Sequence, residues 1–166
     1  MVQFKVVKGG CAYGTSLIGE YCASYTALRA VLGAPNSPRG GDGKTSTEWI
    51  VRDNFGGVYT IYDYKETNLY SPDLPSVRKF RQRPVYDWHI GGGRNTRLSE
   101  LVEWLSAKIR DWTNKESQAI QDAQNKAYEA KYAAAGVPLM PLETPEVPKV
   151  EVPSTLCTSA TARCLG

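Results

Sequence analysis

Two runs of β-branched and aromatic residues stand either side of a cluster of turn formers, and no other pattern constrains this chain as much. The first run is Thr47-Glu48-Trp49-Ile50-Val51-Arg52, and the second is Val58-Tyr59-Thr60-Ile61-Tyr62-Asp63-Tyr64-Lys65. Asp53-Asn54-Phe55-Gly56-Gly57 separates them. This arrangement predicts a β-hairpin whose loop is longer than two residues. A third run, Val85-Tyr86-Asp87-Trp88-His89-Ile90, follows a polar connection containing prolines and predicts another strand. In the second run Val58, Thr60, Tyr62 and Tyr64 share one face, and Tyr59, Ile61, Asp63 and Lys65 the other. Both faces are partly aromatic, which cross-strand packing of tyrosines accounts for without a ligand.

Two segments carry helical spacing. Residues 16–32 place Leu17, Ile18, Tyr21, Cys22, Tyr25, Leu28, Val31 and Leu32 on one face. Gly19 weakens the first turn, and Ser24 offers a second starting point as an N-cap. Gly33 and Pro35 end the helix. Further on, Leu98, Leu101, Val102, Leu105, Ile109 and Trp112 recur at steps of three and four, with a break read at Thr113-Asn114. Val2 to Val7 alternates weakly, as a short strand does. The expected fold is α+β: a small antiparallel sheet of three or four strands packed on two amphipathic helices.

The character of the chain changes after residue 113. Residues 114–136 are rich in Ala, Gln, Lys and Glu and carry only a thin apolar stripe. Helix propensity there is high, but propensity alone leaves an isolated helix marginal, so it needs a partner. Residues 137–166 carry Pro138, Pro141, Pro145, Pro148 and Pro153, which exclude a helix or a central strand and read as an extended arm. The expected division is a core at 1–113, an Ala/Gln-rich helix at 114–136 and a Pro-rich tail at 137–166. Partner-binding residues are expected at Ile120, Tyr128, Tyr132, Val137, Leu139, Leu142, Val147, Val150, Val152 and Leu156.

Charge and ligand types narrow the chemistry. A net charge of +3 over 166 residues gives no strong pull toward nucleic acid or anionic lipid. The local cluster Arg78, Lys79, Arg81 and Arg83 reads as a solvated loop. No run approaches the roughly 18 apolar residues of a membrane span, and residues 1–8 lack a signal peptide's apolar core. The expected location is a host cell interior, or a particle assembled there. Cys11, Cys22, Cys157 and Cys164 form no CxxC pair and the chain has one His, so neither a metal nor a cofactor is expected.

Residues 39–45 look like part of a phosphate loop. Pro38 stands where the first glycine belongs and a strand follows instead of a helix, so a nucleotide triphosphatase is not expected. His89 shares a strand face with Asp87, but no nucleophile motif accompanies it, and an enzyme is not expected. Gly91-Gly92-Gly93 leads from a strand into a helix, with Arg94 and Arg97 beside it. That geometry can hold an anion on free amides and a helix dipole. It supports an alternative expectation: a small binding protein for a nucleotide or nucleic acid, using His89, Gly91, Gly92, Gly93, Arg94, Arg97, Tyr62 and Tyr64.

The strings Leu32-Gly33-x-Pro35, Glu48-Trp49, Thr60-Ile61-Tyr62-Asp63-Tyr64-Lys65 and Trp88-His89-Ile90-Gly91-Gly92 resemble a small uncharacterised family of large DNA viruses and some phages. The resemblance spans residues 25–105. It implies viral origin and carries over no catalytic residue. The arm from Val137 lies outside it. Together with the partner-seeking helix, it points to a non-enzymatic structural or assembly protein, a minor capsid or virion component bound to neighbouring subunits through its helix and arm.

Overall fold

The computed structural model describes residues 1–9, 12, 14–36 and 43–135. The chain divides into two units, Met1–Asn125 and Lys126–Gly166, and of the second only residues 126–135 are described. The Pro-rich arm, with Val137, Leu139, Leu142, Val147, Val150, Val152 and Leu156, lies outside the described residues, as do Cys11, Cys157, Cys164 and residues 37–42.

Among the described residues eight elements follow in order: β1 (Phe4–Val7), β2 (Ser16–Ala23), α1 (Tyr25–Leu32), β3 (Glu48–Asp53), β4 (Val58–Tyr62), α2 (Val77–Phe80), β5 (Tyr86–Gly92) and α3 (Leu98–Ala135). The sheet has five strands in the order β1-β3-β4-β5-β2, and every pairing is antiparallel. The α+β class stands, but the sheet is larger than the three or four strands expected.

The extra strand comes from residues read as helix. Ser16–Ala23 forms β2, and only Tyr25–Leu32 is helical. Pairing with β5 shifts register between Leu17 and Gly19. Such a bulge puts two successive residues on one side of a strand. Ile18 packs against the core, and a Cβ on Gly19 would stand 2.6 Å from a Leu98 methyl. With Tyr21 and Ala23 also turned to the core, the apolar spacing imitates a helical period. Ser24 caps the real helix: its backbone is extended and its hydroxyl accepts a hydrogen bond from the Ala27 amide.

One face of the sheet carries the core. Trp49, Val51, Tyr59, Ile61, Trp88 and Ile90 pack there against Leu28 and Leu32 of α1, Phe80 of α2, and Leu101 and Leu105 of α3. The Trp49 and Trp88 rings meet edge to face at 5.3 Å. Both indole N–H groups are satisfied, Trp49 donating to the Gly33 carbonyl at 2.9 Å and Trp88 to the Ala23 carbonyl at 3.0 Å. Each of these large side chains contributes about 1.5–3 kcal/mol of burial before conformational entropy is charged.

α3 does not break at Thr113-Asn114. The Thr113 hydroxyl donates to the Ile109 carbonyl one turn back at 3.0 Å, so the side chain satisfies itself without interrupting the helix. The helix instead changes surroundings. Leu101 and Leu105 are buried, whereas no residue from 113 to 134 is. Inside the second unit the Tyr128 and Tyr132 rings lie 4.3 Å apart.

The long connection after β4 also holds structure. α2 is a single turn, started by the Ser76 hydroxyl accepting from the Lys79 amide. Of the basic cluster Arg78, Lys79 and Arg83 are exposed, whereas Arg81 is drawn against the fold. Arg81 donates to the Ser46 carbonyl and the Thr47 hydroxyl and lies over the Tyr25 ring at 4.9 Å. Arg83 pairs with Glu66 at 2.8 Å.

Candidate functional site

Register places four polar side chains in one row on the face opposite the core. Glu48 on β3 faces Tyr62 on β4, Tyr62 faces His89 on β5, and His89 faces Glu20 on β2. Alternation explains why they share a face: Trp49, Ile61 and Trp88, their chain neighbours, all point into the core.

The rings gather around the imidazole. Tyr62 lies 5.5 Å from His89 and tilted by 37°, and Tyr64 meets it edge-on at 6.0 Å. His89 Nε2 stands 3.5 Å from Glu20 Oε1, with the Glu20 side chain 57% exposed and that of His89 21% exposed. The other nitrogen, Nδ1, is closed to solvent and has no hydrogen-bond partner. Burial, followed by Tyr64 and Glu48, holds the Tyr62 phenol above its ordinary range.

Beside this row the chain turns through Lys65, the one non-glycine residue with positive φ among the described residues. Its ammonium sits 5.1 Å from the Tyr64 ring centre and 5.0 Å from that of Tyr70. The Tyr70 hydroxyl, followed by the charges of Tyr64 and Tyr70, raises the Lys65 pKa above the usual value. Tyr64, Leu69 and Tyr70 are exposed here.

Of the eight residues expected to bind a ligand, the structure brings together Tyr62, Tyr64 and His89. Gly91 is on the same face, where a Cβ would run into the Thr60 hydroxyl and stand 3.5 Å from Thr15. Gly92 points the other way, its Cβ position occupied by Ile18 and Thr96. Gly93 and Arg94 lie in the turn before α3.

Arg97 belongs to a different cluster, on the core side. Its backbone amide donates to the Tyr59 hydroxyl at 2.7 Å, and that hydroxyl donates to Asp53 Oδ2 at 2.9 Å. Asp53 Oδ1 accepts from the Phe55 and Gly57 amides. The Arg97 guanidinium lies over the Phe55 ring at 4.7 Å and 3.5 Å from Glu100. The amide at the start of α3 is therefore bonded to the protein's own phenol, with a buried carboxylate behind it.

A second buried carboxylate, Asp63, accepts from the Ser46 amide, the Ser46 hydroxyl and the Thr47 amide. It fixes the chain entering β3. Among the described residues no group of three His, Cys, Asp or Glu side chains is placed to hold a metal, and no helix is long and apolar enough to cross a membrane.

Sequence reasoning misses Glu20, because neither a helix from Ser16 nor one starting at Ser24 makes residues 16–23 a strand. It also missed Glu48 and Lys65 as neighbours of the tyrosines. Alternation, which sets Tyr62 with Tyr64 and Asp87 with His89, is the signal that points to this face.

The sequence matches no protein-family model and no curated protein.

Proposed function

We propose that this protein is a non-enzymatic assembly protein, a minor component of a virus particle, which holds neighbouring subunits through the outer length of α3. The observation that carries the reading is the run of residues 113–134, helical throughout and without one buried side chain. A helix packed on nothing is marginal in water even when rich in Ala. Its persistence over more than twenty residues is best explained by a surface that covers it in the assembled state. Ile120, 58% exposed, and the Tyr128–Tyr132 pair are the side chains offered for that contact.

The row at His89 supports the non-enzymatic part of the reading. One imidazole nitrogen is sealed and the other faces Glu20, which suits a structural pair better than a proton shuttle. The viral part rests on the resemblance of residues 60–65 and 88–92 to a family of large DNA viruses, and the Pro-rich arm supplies a second expected contact. Hydrogen exchange on the purified chain and on intact particles tests this. In the isolated protein the amides of 113–134 exchange orders of magnitude faster than those of residues 98–110, and in particles they are protected. Equal protection in the isolated monomer would refute it.

A further inference from the structure

β1 is an edge of the sheet: it pairs with β3 on one side and, among the described residues, with no strand on the other. The bonds at its start show which backbone groups face outward. The Gln3 carbonyl accepts from the Asn54 amide at 3.1 Å, and the Gln3 amide donates to the Asn54 side-chain oxygen at 2.9 Å. Gln3, Lys5 and Val7 therefore bond toward β3, while Phe4 and Val6 turn their N–H and C=O groups away from the sheet. An edge of that kind is a template for another strand.

A groove lies beside this edge, between β1 and the first turns of α3. Its volume is about 440 Å³, and Val2, Phe4, Phe55, Glu100 and Trp104 are among the residues that line it. The Phe4 and Trp104 rings, 5.3 Å apart, give it an apolar wall, and Phe55 at its end is 55% exposed. Glu100 Oε2 is closed to solvent and has no hydrogen-bond partner. A buried acceptor of that kind calls for a donor.

The other face of β1 fixes the charge of what can lie there. Lys5 stands directly opposite Arg52. Both are exposed, and among the described residues neither forms an ion pair. Like charges set opposite each other repel. A strand laid along β1 places one side chain beside Lys5, and a carboxylate at that position relieves the repulsion. The side chains before and after it point to the core face, next to Phe4 and Val6 and over the groove. A second copy's β1 paired about Lys5 would instead set four cations in one row.

We propose that the free edge of β1, with the groove beside it, is a docking site for an extended segment of a partner protein in which an acidic residue stands between two β-branched apolar ones. The segment's backbone bonds to Phe4 and Val6, its carboxylate pairs with Lys5, and its apolar side chains enter the groove. This site is separate from the contact assigned to α3 and stands or falls without it.

The test titrates the full, isotope-labelled chain with acetyl-Ser-Thr-Val-Glu-Val-Thr-Ser-amide, and with the same peptide carrying Lys in place of Glu, following the Phe4 and Val6 amides. The Glu peptide shifts them saturably with a Kd under about 1 mM and slows their hydrogen exchange. The Lys peptide binds about fivefold more weakly. Lys5→Glu, at an exposed side chain, reverses that preference. Val6→Pro keeps the bonds to β3, because the N–H it removes faces outward, and weakens both peptides about tenfold. Binding of the Glu peptide weaker than about 1 mM overturns the inference. So does equal binding of the two peptides, an unchanged preference in Lys5→Glu, or full binding by a folded Val6→Pro chain. Phe4 and Val6 amides that shift on dilution of the chain alone overturn it as well, because the occupant is then a second copy.

Discussion

The Tyr59 hydroxyl donates to the Asp53 carboxylate across the β3–β4 turn at 2.9 Å, and this pair joins the hairpin to the start of α3. The same hydroxyl accepts the Arg97 amide at 2.7 Å. Tyr59→Phe leaves a buried carboxylate oxygen and a helix-start amide without partners. Leaving such groups unsatisfied costs about 1–3 kcal/mol. Urea unfolding should show a loss in that range, while Tyr64→Phe, at an exposed ring, should leave the midpoint where it is.

Two adjacent glycines in that turn separate conformation from crowding. Gly56 has φ +86 and open space where a Cβ would go. Gly56→Ala therefore carries only left-handed strain, about 1–2 kcal/mol. A Cβ on Gly57 would strike the Asp53 carboxylate. Gly57→Ala should be the more destabilising substitution, and thermal melts of the two variants check the order.

The two buried carboxylates have opposite pH signatures. Burial pushes Asp53 upward, but hydrogen bonds from the Gly57 amide, the Tyr59 hydroxyl and the Phe55 amide outweigh it and hold the pKa below the usual range. Its stabilisation is complete above the unfolded value, about 3.9, and is lost as pH falls through the lower folded value. For Asp63 burial wins over the bonds from Ser46 and Thr47, and the pKa is raised. Its contribution is present below the unfolded value and is lost as pH rises through the higher folded one. Urea midpoints against pH test both. Relative to the parent chain, Asp53→Asn loses its deficit toward acid pH, whereas any deficit of Asp63→Asn grows there. Parallel profiles would contradict the assignment.

Position along α3 decides what a truncation does. Leu101 is fully buried, and Leu101→Ala should destabilise the isolated chain by about 2–5 kcal/mol. Ile120→Ala should change that stability by less than about 0.5 kcal/mol, as exposed positions do. If α3 serves assembly, Ile120→Ala lowers incorporation into particles, measured by quantitative mass spectrometry. Normal incorporation of that variant would count against the contact.

What could be read from residues alone was the local part of this molecule. The β3–β4 hairpin, β5, the Ser24 cap and the apolar stripe of α3 each carry their own signature over a few consecutive positions. Side-chain alternation also placed Tyr62 and Tyr64 on one face. β2 was not legible, because its bulge at Ile18 gives a strand the spacing of a helix. With β2 hidden, Glu20 could not be placed opposite His89, and the row of rings and carboxylates could not be assembled. Arg97 likewise could not be assigned to the Tyr59–Asp53 cluster until folding set its amide against the Tyr59 hydroxyl. Periodicity reports which way neighbouring side chains point, but strand pairing joins residues dozens of positions apart, and only the folded chain chooses among those pairings.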